Sequence, residues 1–302
     1  MTSPAPTVDT VVSLLHGQAP DLADRPVRGL AASGSSNVVF RLGEDLAVRL
    51  PRSDRYVPDL RNEVRWLPVL APHLPTTIPE VVVEGRPTEA FPRPWTIVSW
   101  VSGDLPLELD AAQQVRLAET LGAFLRSLHA IDATGVPSGP DEWGYRCGEP
   151  VTEESDRWVA EAAAELADVF DPARVHEAWR RLRCVPPASA GPSCVHTDLS
   201  VENLLVDADG ALSGVIDFGG VGVGDPSVDL QYAWSMFDAP AREVFRSAAG
   251  ADEATWARAR AWAFGGPGLS TLAGYRHSMP ERTARLTRMV EAVAAEVGIR
   301  LR

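Results

Sequence analysis

Between Cys194 and Gly219 the chain sets isolated polar groups at fixed intervals around two short apolar runs. His196, Asp198 and Asn203 come first, then Leu204-Leu205-Val206, a turn at Asp207-Ala208-Asp209-Gly210, a second run through Val215-Ile216, and Asp217-Phe218-Gly219. Apolar runs divided by an Asp/Gly turn predict a β-hairpin. That predicted hairpin separates Asp198 and Asn203 before it from Asp217 after it. The residue types then indicate a chemistry. A carboxylate on a loop, Asp198, can accept the hydrogen bond of a hydroxyl. The amide of Asn203 and the carboxylate of Asp217 are hard oxygen ligands of the kind magnesium takes when it bridges phosphates. One His-x-Asp arises by chance; three such groups at this spacing do not easily do so.

The residues upstream divide in two. The spacing predicts a short amphipathic helix over 8–16, with Val8, Val11, Val12 and Leu15 on one face. Strands follow over 38–42 and 46–50, around a turn at Gly43-Glu44-Asp45, and again over 78–85 and 95–101. A helix over 59–70 lies among them. Small polar residues at the mouth of the first hairpin, Ser33, Gly34, Ser35, Ser36 and Asn37, would let backbone N–H groups approach an anion. Arg49 sits mid-strand on the face opposite Val48 and Leu50, and Glu63 on the helix is its candidate partner. A solvated loop, an exposed strand arginine and a surface ion pair with Arg61 or Arg65 are the plainer readings of these residues.

Beyond the break at Ser102-Gly103-Asp104 the pattern is mainly helical. Helices are expected over 111–131, with Leu117, Leu121, Phe124 and Leu128 facing a core, over 155–170 with Asp171-Pro172 closing it, from 227–229 onward, and over 281–297. His129 is expected to pack or to bond at a helix end. The Pro/Gly-rich residues 132–150 predict an ordered loop. The fold expected is α+β in two lobes: 1–101 with a small antiparallel sheet and one main helix, and 102–302, mostly helical and carrying the hairpin.

The net charge of −13 argues against nucleic acid, whose binders need a basic face. Residues 1–100 hold 11 acids against 10 arginines, so almost all the excess lies beyond them, where it suits either a cationic substrate or plain solubility. All 28 basic residues are arginine, so any phosphate-binding cation here must be one. No basic-plus-apolar leader opens the chain and no apolar run reaches a membrane span of about 20 residues, so no membrane partner is expected. Three cysteines without C-x-x-C or zinc spacing fit a reduced, cytoplasmic setting.

With these residues placed, the chain resembles the aminoglycoside phosphotransferase family, the antibiotic-kinase branch of the kinase-like fold. The marks are His196-Thr197-Asp198-Leu199 to Asn203, Ile216-Asp217-Phe218-Gly219, Gly224-Asp225-Pro226 with Asp229-Leu230, Ala47 to Arg52, and the helix around Glu63. The resemblance spans roughly residues 30–297 and implies transfer of the terminal phosphate of ATP or GTP, with Mg2+, to a small-molecule hydroxyl, by a monomer or homodimer. It implies Asp198 as base, Asn203 and Asp217 as metal ligands, Arg49 with Glu63 as the phosphate clamp, and Trp100-Val101 at the hinge by the nucleotide base. His196 and Asp229 would brace the loop. Glu202, Asp225, Tyr232, Trp234 and Asp238 are acceptor candidates by their nearness to the motif. Four positions depart from the family's pattern: Thr197 replaces a common Gly, Ser200 and Glu202 replace a common His and Gly, and Gly220 stands where many members carry Asp. The expected acceptor is an aminoglycoside-like antibiotic. A macrolide, another natural product, a sugar or amino-alcohol metabolite, or a catalytically silent nucleotide-binding module are the alternatives.

Overall fold

The computed structural model describes residues 5–30, 36–132, 134, 136, 144–189 and 191–302. Among them the N-terminal part holds α1 (Val8–Gln18), β1 (Val27–Gly29), β2 (Asn37–Leu42), β3 (Leu46–Pro51), α2 (Val57–Leu70), β4 (Val81–Gly85) and β5 (Trp95–Ser99). The strands form one antiparallel sheet in the order β1-β2-β3-β5-β4. Period-2 alternation assigns its faces. Phe40, Leu42, Val48, Leu50, Trp95 and Ile97 close on Val11, Leu14 and Leu15 of α1 in one core, so Arg49 points the other way, toward α2. A mostly helical part follows this sheet, so the chain is α+β in two lobes.

The helical part contains α3 (Ala111–His129), α4 (Glu153–Glu165), α5 (Pro172–Leu182), α6 (Ala233–Met236), α7 (Ala239–Ala249), α8 (Glu253–Phe264), α9 (Thr271–Tyr275) and α10 (Pro280–Glu296). Gly122 lets α3 and α7 approach, since a Cβ there would stand 2.5 Å from that of Ala248. A π-helical turn, Gly265–Ser270, joins α8 to α9. Within this frame lie two small ladders, β6 (Ser193–Val195) with β9 (Gly222–Gly224), and β7 (Leu204–Val206) with β8 (Leu212–Val215). Asp207 Oδ1 accepts the N–H groups of Asp209 and Ala211, at 3.0 and 2.9 Å, and shapes the turn between β7 and β8.

Several boundaries differ from the sequence expectation. β1 is a three-residue edge strand with no periodicity to reveal it. The strand expected over 78–85 begins only at Val81, after Pro79, which has no N–H to give a ladder. Asp171-Pro172 opens a helix instead of closing one: Asp171 accepts the Ala173 N–H at 2.9 Å and Pro172 takes the first turn of α5. A 3-10 turn, Pro226–Leu230, stands where a longer helix was expected to start.

Candidate active site

The residues after β6 are pinned by one buried carboxylate. Asp229 Oδ2 accepts the His196 N–H at 3.0 Å and Oδ1 the Thr197 N–H at 2.7 Å, and His129 Nε2 lies 3.0 Å from Oδ2. The grip matters because Thr197 has φ 74, a left-handed conformation that is costly for a β-branched residue. Its carbonyl accepts from Gln231 Nε2 at 3.3 Å and its hydroxyl donates to the Gly220 carbonyl at 3.2 Å. Gly220 is itself tightly faced, since a Cβ there would stand 2.5 Å from Thr197 Oγ1. His196 Nδ1 accepts the Asp198 N–H at 3.3 Å, so its Nε2 carries the proton toward the Ile216 carbonyl 3.2 Å away. The imidazole meets Phe218 edge-on at 4.6 Å.

Asn203 and Asp217 are set by the hairpin. The Ile216 N–H donates to the Asn203 carbonyl at 3.0 Å, and Asn203 Nδ2 donates to the Asp198 carbonyl at 2.8 Å, leaving the amide oxygen for a cation. Asp217 also has a positive φ, 66°. Arg49 bridges three elements: Nη1 binds Glu63 Oε2 in a short contact, and Nη2 reaches Asp217 Oδ1 at 3.0 Å. Burial works against the Arg49 charge, but Glu63 and Asp217 outweigh it and hold the guanidinium protonated. Glu63 Oε1 accepts the Phe218 N–H at 3.2 Å. Asn62, which no motif singled out, donates to the Gly219 and Val221 carbonyls at 2.9 and 2.8 Å. Helix α2 therefore clamps the Asp-Phe-Gly turn from one side.

Asp198 and Asp217 face one cavity of about 250 Å³, shared with Ser36, Arg146, Tyr232 and Arg282. Tyr232 donates its hydroxyl to Asp198 Oδ1 at 3.0 Å, while Arg146 Nη1 stands 3.5 Å from Oδ2. Burial, with the nearby Asp198 charge, pushes the Tyr232 phenol well above its ordinary pKa, so it stays a donor. Beyond Tyr232 a smaller cavity of about 190 Å³ carries Trp158 and Trp262. A separate groove of about 700 Å³ runs between the Asp104–Leu109 segment and α10, and is lined by Asp104, Glu108, Asp207 and Glu281 together with Arg285 and Arg288.

The other residues singled out in the sequence are scattered around this centre. Ser33, Gly34 and Ser35, and residues 133, 135 and 137–143 of the loop read over 132–150, fall outside the described residues. Asn37 is buried, and its Oδ1 finds no hydrogen-bond partner among the described residues. The Trp100 ring lies under the Arg41 guanidinium at 3.8 Å and Val101 is buried. Glu202 is paired with Arg285 of α10. Asp225 is held by Arg258, through Nε at 2.6 Å and Nη2 at 3.1 Å, away from both cavities beside Asp198. Trp234 is buried, with its Nε1 on Glu296 at 2.7 Å, and Asp238 caps α7 by accepting the Ala241 N–H at 2.9 Å. Arg146 and Arg282 carried no signal in the sequence: each lies far from the motif in an unremarkable stretch.

A two-lobed fold with a braced His-x-Asp loop and an Asp-Phe-Gly turn defines a kinase-like phosphotransferase. The chain belongs to the phosphotransferase enzyme family, whose profile matches residues 28–262. An Escherichia coli aminoglycoside 3'-phosphotransferase is 28% identical over 217 residues, 68% of this chain and 74% of that protein. Among solved structures, the GDP and kanamycin complex of APH(2")-IIia superposes with a TM-score of 0.68 at 20% identity, over 95% of this chain and 98% of that one. The macrolide 2'-phosphotransferase MphH from Brachybacterium faecium gives a TM-score of 0.62 at 21% identity, over 94% and 97% of the two chains.

Proposed function

We propose that this phosphotransferase moves the terminal phosphate of ATP or GTP to a hydroxyl of an aminoglycoside-like antibiotic, and that its biological role is resistance by modification. The observation that carries the reaction is Asp198 facing the same cavity as Asp217, with the two residues before it fixed by Asp229 and its carboxylate aligned by Tyr232. Asp198 orients the acceptor hydroxyl and takes its proton as the new O–P bond forms. The bond from the terminal phosphorus to its bridging oxygen breaks, and the nucleoside diphosphate leaves with that electron pair. The residues fit a magnesium ion, since the Asn203 amide oxygen and the Asp217 carboxylate are hard oxygen donors. When bound, it neutralises charge on the phosphates. Arg49 and Glu63 hold Asp217 in place, residues 33–37 cover the phosphates, and Trp100-Val101 flank the base. Residues 1–101 act as the nucleotide lobe and 102–302 as the acceptor lobe.

The aminoglycoside reading draws support from the curated relative and from the carboxylates of the 700 Å³ groove, which suit a polyamine. Glu202 on the loop, paired with Arg285 of that groove, links it to Asp198. A macrolide is the second reading, favoured by the aromatic walls of the cavity beside Tyr232. Among the described residues no helix is long and apolar enough to cross a membrane, and the free cysteines suit action in the reducing cytoplasm. A nucleotide-consumption assay with magnesium, run over aminoglycosides, macrolides and sugar metabolites with mass spectrometry of products, tests the acceptor. Turnover of a metabolite with indifference to every antibiotic would defeat the resistance role. Asp198→Ala should lower transfer by about 10²- to 10⁴-fold while nucleotide affinity holds; transfer near the wild-type rate would remove Asp198 from the reaction.

A further inference from the structure

Two guanidiniums stand beside Asp198, and neither belongs to the motif. Arg146 sits on the 3-10 turn Gly144–Cys147, with Nη1 3.5 Å from Asp198 Oδ2, an ion pair too long for a good hydrogen bond. Arg282, in the first turn of α10, lines the same cavity and rests over the Tyr275 ring at 4.9 Å from its centroid. Arg49, the cation that sequence pattern puts on the phosphates, is engaged by Glu63 and Asp217. It stands on the sheet side, whereas Arg146 and Arg282 approach from the helical part.

In-line transfer spreads negative charge over the three peripheral oxygens of the phosphoryl group. That group must pass next to a hydroxyl lying against Asp198, in the cavity these two arginines line. The chain has no lysine to serve there, and a guanidinium presents paired donors to an oxyanion. We propose that Arg146 and Arg282 form a second oxyanion site, distinct from the Arg49 clamp, that holds the peripheral oxygens of the phosphoryl group as it is transferred. The inference rests on the placement of the acceptor hydroxyl at Asp198. It needs no change in the bonds made and broken, because both side chains only donate hydrogen bonds.

The test titrates the full chain, saturated with ADP and magnesium, with fluoroaluminate as a planar mimic of the phosphoryl group. Arg146→Ala and Arg282→Ala should each weaken that binding by about 10- to 100-fold, the range for a hydrogen bond to a charged group, with ADP affinity held within about twofold. Arg146→Lys keeps the charge without the fork and should fall between, and melting curves show whether each variant is folded. Nucleotide hydrolysis without acceptor should drop in parallel with the binding. Unchanged fluoroaluminate affinity in both alanine variants overturns the proposal. So does a loss confined to acceptor KM, which would make the pair a recognition element for an acidic group on the acceptor. A wild type that binds the mimic but transfers nothing to any acceptor would count against the proposed function alone.

Discussion

The two sides of the cleft meet at Asp198 and differ in what their charges are bonded to. On the side proposed for the nucleotide, Arg49, Glu63, Asp217 and the Phe218 N–H form one closed set across β3, α2 and the hairpin. Every member is satisfied by another, and the set is wired before any ligand arrives. On the helical side, charge is carried on a 3-10 turn and on α10: Arg146, Arg282 and the Glu202–Arg285 pair. Arg146 reaches Asp198 and Arg282 lines the same cavity, each from its own element of the helical part. The contrast teaches that the charges around Asp217 are fixed by one network packed across sheet, helix and hairpin, while those beside Asp198 are set singly, each from its own element.

Removing Arg49 should break the closed set most severely. Arg49→Ala leaves Glu63 buried without its partner, and loss of one member of a buried pair costs about 3–5 kcal/mol. Melting should register that loss and nucleotide KM should rise; a change under about 1 kcal/mol would mean the set is not closed in the sense argued. On the opposite side, Tyr232→Phe deletes the phenol that donates to Asp198. Its cost of about 1–3 kcal/mol should surface as a fall of about 5- to 150-fold in kcat at constant nucleotide KM. A rise in nucleotide KM instead would blur the division between the two sides. The smallest effect is expected where the sides touch. Thr197→Gly relieves a left-handed threonine, worth about 1–3 kcal/mol, but gives up a hydroxyl bond of about 1 kcal/mol and adds unfolded-state entropy of about 0.4–1 kcal/mol. Denaturant titration should find a net change within about 1 kcal/mol either way.

Much of this arrangement is legible in the sequence, for stated reasons. The hairpin that brings Asn203 to Asp217 is written locally, in two apolar runs and an Asp/Gly turn, and Arg49 declares itself as a charge in a strand. What escaped depends on distance in sequence. Asn62 and Arg146 make single contacts with the motif from elements whose own patterns serve other ends. Asp225 shows the reverse case: it follows the Asp-Phe-Gly turn closely in the chain, yet its carboxylate is spent on Arg258 in the interior. Trp234 and Asp238 likewise sit near the motif in sequence and serve the packing and capping of helices. The three-residue β1 is too short to show a period, and the helix opened by Asp171-Pro172 was obscured because a Pro beside an Asp marks a helix start as well as a stop.

The contact between Thr197 and Gly220 orders the changes open to this chain. Two of its departures from the family's pattern, a threonine where glycine is common and a glycine where aspartate is common, are halves of one fit. An aspartate placed at 220 while Thr197 remains would force its Cβ against a stiff, branched side chain 2.5 Å away. Glycine at 197 first removes the obstacle and lets aspartate follow. From a chain with glycine at 197 and aspartate at 220 the same clash sets the opposite order, since 220 must lose its side chain before 197 gains one. A new carboxylate beside the cavity is therefore two substitutions away in one sequence of steps, and blocked in the other.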